Sequence, residues 1–177
     1  MPEGAIGVTI APVNEQLPTR QRLLLFVGSI GPLGHLPASG TITVAIVGIP
    51  LFYLMHDLHW MTYALTTAVF VAASIALHEV GDRILGEKDS RKLVWDELAG
   101  FMVAVAFIEF SWPIAIAAFL AERAIDIVKV PPANWIENRV PGGWGVVGDD
   151  LVAGLYTNGL VRVLLWLLPA WGAAGMG

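Results

Sequence analysis

Three groups of ionisable residues carry the chemical content of this chain. Asp96 and Glu97 stand side by side at the head of the apolar run Leu98-Ala99-Gly100-Phe101-Met102. Asp149 and Asp150 repeat the arrangement ahead of Leu151-Val152-Ala153-Gly154, and between the two pairs Arg123, Asp126 and Lys129 put charge at the tail of another apolar run. Carboxylates at the edge of an apolar medium need a compensating partner, and five of them brought together outside bulk water repel strongly. A hard divalent cation relieves that repulsion. The chain has no cysteine and no paired histidine beside these acids, so the donor set favours magnesium, manganese or calcium over zinc. The candidate metal ligands are therefore Asp96, Glu97, Asp126, Asp149 and Asp150. Neighbours on a helix point about 100° apart, which leaves one member of each pair to bind metal and the other to cap the helix or support its neighbour. The plainer alternative is that these acids only cap helix N-termini. It is weakest for Asp126, because an acid at a helix C-terminus opposes the dipole.

Arg123 and Lys129 are the candidate phosphate-binding cations, since arginine grips a phosphate through two parallel hydrogen bonds. Their ordinary alternative is pairing with Glu122 or Asp126. The stretch 28–41 holds four glycines and two prolines and ends in Ser39-Gly40-Thr41 just before an apolar run. Open backbone N–H groups at such a helix start cradle anions, so Gly40 and Thr41 join the phosphate-binding candidates. The glycine–lysine–serine/threonine ending of a P-loop is missing, and a plain connection is the alternative here. Gly142-Gly143-Trp144-Gly145 is a second loop of the same kind. His35 reads as structural, and His56, His59 and His78 as interfacial. Trp60, Trp112, Trp166 and Trp171 read as interface belt residues, and Met55 and Met102 as core.

The elements that must position these groups are helices in an apolar medium. The 177 residues are 56% hydrophobic and only 14% charged, against about 25% charged in soluble domains, and the mean hydropathy is +0.68. The sequence predicts an all-α, compact multi-helix integral membrane bundle. It has about five main helices, near 42–55, 61–77, 96–109, 112–128 and 149–168, some of them short or interfacial. Ser111-Trp112-Pro113 is a start signal with serine as cap and proline in the first turn. Residues 56–59 read as a tight polar hairpin, 78–93 as the most charged segment and 133–148 as a loop. A tail at 1–21, a membrane domain at 22–168 and a tail at 169–177 complete the division. No positively charged leader precedes an apolar core at the N-terminus, so no cleaved signal peptide is expected. The net charge of −5 argues against a nucleic-acid partner.

If the five helices alternate in direction, the 28–41 loop, Asp96-Glu97, Arg123 to Lys129 and Asp149-Asp150 all fall on one face. Nine of the ten basic residues fall there too, all but Arg162, which makes that face cytoplasmic by the positive-inside bias. A cation channel or transporter using the same acids is the rival from another class. It expects ionisable residues near mid-membrane, whereas here they gather at one end.

These residues resemble the phosphatidylglycerophosphatase A family. The resemblance covers about 22–168. It rests on the Gly40-Thr41 pair before the first predicted helix and on the apolar-Asp-Glu-apolar-apolar-Gly block from Val94 to Gly100. Its third part is a long block of Arg123, Asp126, Lys129, Pro131 and Trp135, then Gly142, Gly143 and Gly145, then Asp149, Asp150, Ala153 and Gly154. Ser39, Val130, Glu137 and Gly148 depart from the family pattern, and none of these removes a carboxylate of the metal set. The resemblance implies a magnesium-dependent phosphoric monoester hydrolase of glycerophospholipid synthesis. It would remove the terminal phosphate of phosphatidylglycerophosphate to give phosphatidylglycerol. Asp96, Glu97, Arg123, Asp126, Lys129, Asp149 and Asp150 would carry the reaction. The enzyme would be a multi-pass protein of the inner (cytoplasmic) membrane, with a phospholipid and the bilayer as partners and its active site facing the cytoplasm. Action on another phospholipid monoester is the close alternative.

Overall fold

The computed structural model describes residues 17–168. Among them are seven helices and no strand: α1 (Thr19–Gly28), α2 (Ser39–Met55), α3 (Trp60–Leu85), α4 (Trp95–Ala104), α5 (Trp112–Val128), α6 (Ala133–Arg139) and α7 (Gly143–Leu167). α4 runs through the middle. Its Leu98, Ala99, Phe101 and Met102 are buried, and Leu98 and Phe101 share one apolar core with Val44 and Phe52 of α2, Ile114 and Ala118 of α5 and Val161 of α7. Tyr63 of α3 fastens the other side, its hydroxyl donating to the Met102 carbonyl at 2.7 Å.

The α4–α7 crossing is close because both helices offer glycine there. A Cβ on Gly100 would stand 2.8 Å from the Asp150 carbonyl oxygen, and one on Gly154 would collide with the Gly100 carbonyl. Small residues let helix backbones approach in this way. α4 then stops at Ala104, short of the expected 109, and Phe107 takes a left-handed φ of 56°. The carbonyls left open at a helix end need donors, and α7 supplies them. Asn158 Nδ2 shares its hydrogens among the carbonyls of Val103, Ala104 and Ala106 at 3.0–3.3 Å. Arg162 donates to Ala106 and to the Asn158 side-chain oxygen. Asp150, Gly154, Asn158 and Arg162 thus form one stripe at four-residue spacing, turned towards α4.

Several expectations are corrected. There are seven helices rather than about five. The second predicted helix does not stop at 77 but continues to Leu85 through charged residues, because His78, Gly81 and Asp82 extend its inward stripe. The stretch 133–148 is not loop throughout: it holds α6 and the start of α7 at Gly143. α1 has no counterpart among the predicted helices, and Ser39 already opens α2. Of the described helices, α3 (26 residues, mean hydropathy 1.6) and α7 (25 residues, 1.2) are long and apolar enough to cross a membrane, while α2 is apolar but shorter. Of the described helices two are thus of spanning length, and a membrane bundle of about five helices, some of them short or interfacial, is not what the structure shows. The cap at Ser111 is as expected: its Oγ accepts from the Ile114 N–H, with Pro113 in the first turn. Met55 and Met102 are core, and Trp60, Trp112 and Trp166 are exposed. Trp171, most of the first tail and the whole of the second lie outside the described residues.

Candidate active site

Four helix ends converge. α4 brings Asp96 and Glu97 in its first turn, α5 brings Glu122, Arg123 and Asp126 in its last turns, α7 brings Asp149 and Asp150, and α2 brings Gly40 and Thr41. Arg123 is the hub. Its Nε and Nη2 donate to the two oxygens of Glu122 at 2.7 and 2.6 Å. Its Nη1 lies 3.5 Å from Asp126 Oδ2, and its Nη2 lies 3.7 Å from Asp150 Oδ1. Glu122 is fully buried, so the ordinary pairing is present, and it aims the guanidinium between two further acids. Lys129 ends α5 in a left-handed conformation, φ 51°, which turns its side chain back to Glu137 at 2.7 Å and Asp149 at 3.0 Å. Burial opposes the Lys129 charge, but those two carboxylates outweigh it and hold the ammonium above its ordinary range. The Glu97 carboxylate lies against Gly40, in the space a Cβ there would take. Every site residue predicted from the sequence is therefore at this end of the molecule.

A buried support stands behind Asp96. His78 of α3 is fully buried, with Nε2 3.2 Å from Asp96 Oδ2 and Nδ1 3.5 Å from Asp82 Oδ2. Asp82 in turn accepts the N–H groups of Asp89 and Ser90 at 3.0 and 3.1 Å. The interfacial reading of His78 is thereby corrected. So is the picture of Asp149 and Asp150 as the opening of a helix: they sit more than one turn inside α7, where an N-cap role is closed to them. The Gly142–Gly145 loop does hold an anion, but an internal one, since the Gly143 N–H donates to Glu79 Oε2 at 3.0 Å.

The state of the acid oxygens decides whether a cation fits here. Asp96 Oδ1, Glu97 Oε2 and Asp150 Oδ1 are buried and have no hydrogen-bond partner. Orphaned buried carboxylate oxygens are unfavourable, and burial together with the neighbouring Asp96 charge pushes the Glu97 carboxyl well up. All are hard oxygen donors of the kind magnesium takes. Among the described residues no three histidine or acid side chains already converge as a closed ion site. Arg123 and Lys129 hold several of the acids instead. The donor chemistry thus fits a hard cation, and Asp96, Glu97 and Asp150 are the residues with oxygens to spare.

Beside them opens a cavity of about 390 Å³, lined by Ser39, Gly40, Thr41, Arg91, Glu97 and Arg123. No side chain caps the start of α2, so its first N–H groups are open to an anion. Ser39 Oγ donates to the Arg91 carbonyl at 2.6 Å and ties the two walls together. The cavity, with Arg91 and Arg123 in its lining, can hold a phosphate at a helix start, next to carboxylates that suit a divalent ion. Sequence reasoning passes over Arg91, which is lost in a charged run, and misplaces His78. The signal for His78 is its four-residue spacing from Asp82, which shares a helix face once α3 is carried past residue 77.

Residues 26–165 match the family model described as phosphatidylglycerophosphatase A. A phosphatidylglycerophosphatase A of Escherichia coli is 30% identical over 118 residues, covering 66% of this chain and 69% of the relative. A phosphatidylglycerophosphatase A of Haemophilus influenzae is 31% identical over 150 residues, covering 82% and 90%. A putative phosphatidylinositol-3-phosphatase of Bacteroides thetaiotaomicron is 33% identical over 136 residues, covering 73% and 83%. No solved structure matches the chain.

Proposed function

The chain belongs to the phosphatidylglycerophosphatase A family, and on that premise we propose that it is a membrane-bound lipid phosphatase. It hydrolyses phosphatidylglycerophosphate to phosphatidylglycerol and phosphate with magnesium as cofactor. The observation that carries this reading is the placing of three buried acid oxygens without a hydrogen-bond partner beside a cavity walled by Arg91, Arg123 and the start of α2.

Arg123 and Arg91 grip the phosphoryl oxygens, and the N–H groups of Gly40 and Thr41 fix their orientation. Glu122 holds the Arg123 fork so that no reorganisation is needed as charge shifts during transfer. Asp96, Glu97 and Asp150, with Asp149 and Asp126 near by, would hold magnesium, which when bound neutralises phosphoryl charge and acidifies water. Asp126 is the more open of the aspartates, 21% exposed against 6–8% for Asp96, Asp149 and Asp150. It would take the proton of the attacking water at a carboxylate oxygen. Lys129 holds Asp149 in place through its contact at 3.0 Å.

A bilayer setting is supported by the outward faces of the two long helices. Leu65 and Val69 of α3 and Leu155 and Trp166 of α7 are large, apolar and exposed, while the acids face inward. In this reading the protein is a multi-pass protein of the inner membrane with the acid-bearing end in the cytoplasm. The name of the Bacteroides relative favours one second reading, a different phospholipid monoester as substrate.

The test is phosphate release by purified protein in detergent, with magnesium and with a chelator, from phosphatidylglycerophosphate and from phosphatidylinositol 3-phosphate. Magnesium-dependent release from the first supports the reading. Release from the second alone moves the substrate, and no release from a folded sample overturns the assignment.

A further inference from the structure

A second and larger cavity, of about 780 Å³, is lined by the backbone segment next to Arg91. Its apolar wall includes Leu23 and Phe26 of α1 and Leu85 at the end of α3, and its polar groups include Arg22, His35 and Lys92. Among the described residues no carboxylate lines it. Among the described residues Arg22, His35 and Lys92 make no ion pair and no side-chain hydrogen bond, whereas Arg83, Arg123 and Lys129 are each matched to an acid. The turn at 33–36 is pressed onto this segment, because a Cβ on Gly34 would collide with the Lys92 carbonyl. Arg91 and Lys92 are consecutive, with Cα atoms about 3.8 Å apart, and one lines the small cavity while the other lines the large one. Leu23 and Phe26 are each 62% exposed, so the apolar wall continues outward along α1.

Resting on the function proposed above, we infer that the large cavity is the lipid subsite. Arg22 and Lys92 hold the internal phosphodiester of the substrate while its acyl chains leave over Leu23 and Phe26. A phospholipid with a terminal phosphomonoester beyond a glycerol carries two phosphates, and the structure offers two basic cavities lined by the consecutive residues Arg91 and Lys92. The small one, with Arg91 and Arg123, takes the monoester to be cleaved. The large one takes the diester that stays with the lipid. An anionic lipid is the occupant that the charge favours: a rim with Arg22 and Lys92, and no acid among the described residues, matches a phosphodiester, and the adjoining leucine and phenylalanine surface matches hydrocarbon. The arrangement makes discrimination depend on the second phosphate. Phosphatidic acid bears its single monoester directly on diacylglycerol and cannot fill both sites.

The experiment compares phosphatidylglycerophosphate with phosphatidic acid in mixed micelles, using the full chain and the variants Arg22→Ala, Lys92→Ala and the double variant. Removing either charge-assisted hydrogen bond should raise KM for the two-phosphate lipid roughly tenfold, more in the double variant, with kcat nearly constant. KM for phosphatidic acid should move by less than about twofold, since its phosphate meets only the small cavity. Arg91→Ala should weaken both substrates alike. Arg22 and Lys92 are both exposed, and thermal melting checks that the variants fold. An unchanged ratio of the two KM values in the double variant overturns the two-phosphate assignment while leaving the phosphatase reading intact. Failure of the unaltered chain to release phosphate from either lipid overturns the phosphatase reading instead.

Discussion

The two ends of the bundle are closed by different physics. At the acid-bearing end, Asp96, Glu122, Arg123, Asp149 and Asp150 are buried, and their order comes from charge: a bidentate Arg123–Glu122 pair, Lys129 between Glu137 and Asp149, and His78 between two aspartates. At the other end Phe110 is the hub. It makes edge-on contacts with Phe52, Tyr53 and Trp112 at centroid distances of 5.1–5.4 Å, and Tyr53 stacks on His56. Aromatic pairs of that kind are individually modest and tolerate change. Buried charge networks do not, because removing one member strands the rest. The difference teaches that the aromatic end can lose single contacts cheaply, while the acid-bearing end is built from groups that serve chemistry, are costly to bury and must be kept together.

The strongest way to break that division is Asp150→Asn. It removes a carboxylate whose Oδ1 has no hydrogen-bond partner and only a long ion-pair contact with Arg123, so it should lower kcat for phosphate release by about a hundredfold or more while melting stays near that of the parent. A variant that keeps full activity would take Asp150 out of the site. Next is Arg123→Ala, which strands fully buried Glu122 and should destabilise the fold by about 3–5 kcal/mol. Denaturant titration in detergent reads this, and a change below about 1 kcal/mol would mean the network is more solvated than its burial indicates. His78→Asn should cut activity or magnesium affinity by about 10- to 100-fold through Asp96. Excess magnesium should restore part of the loss, and the absence of any such rescue would deny His78 a role behind a metal ligand. The smallest effect belongs to the far end. Phe110→Leu should lower stability by about 1 kcal/mol and leave kcat and KM alone, whereas a fall in kcat would show that the ends are coupled.

Much of the site is legible in the sequence, for a definite reason. Paired acids at the boundary of apolar runs are improbable by composition, and simple alternation of helices places Asp96, Arg123 and Asp149 at one end whatever the details. Boundaries are harder. Helix α3 runs on through Glu79, Asp82 and Arg83 because its inner stripe of Ser74, His78 and Gly81 is polar and small, so a search for apolar periodicity loses it at Leu77. α4 stops early at Ala104 because its caps, Asn158 and Arg162, lie more than fifty residues away, and no local signal at 105–109 announces them. Arg91 is hidden by its company: in a run with Glu87, Lys88, Asp89 and Lys92, nothing in the order of charges marks the one that faces the cavity.

The stripe Asp150, Gly154, Asn158 and Arg162 has a consequence for how this chain can change length over time. Those four residues fix the acid, the close crossing and the capping of α4 on a single helix. Inserting one residue anywhere between Asp150 and Arg162 would swing everything beyond it by about 100° and shift it by about 1.5 Å. The acids would then be out of step with the caps. The turn at 56–59, which carries no such obligation, can lengthen freely. Across related chains, gaps should therefore gather in the turns and be missing from the interval between Asp150 and Arg162, even where its other side chains have drifted.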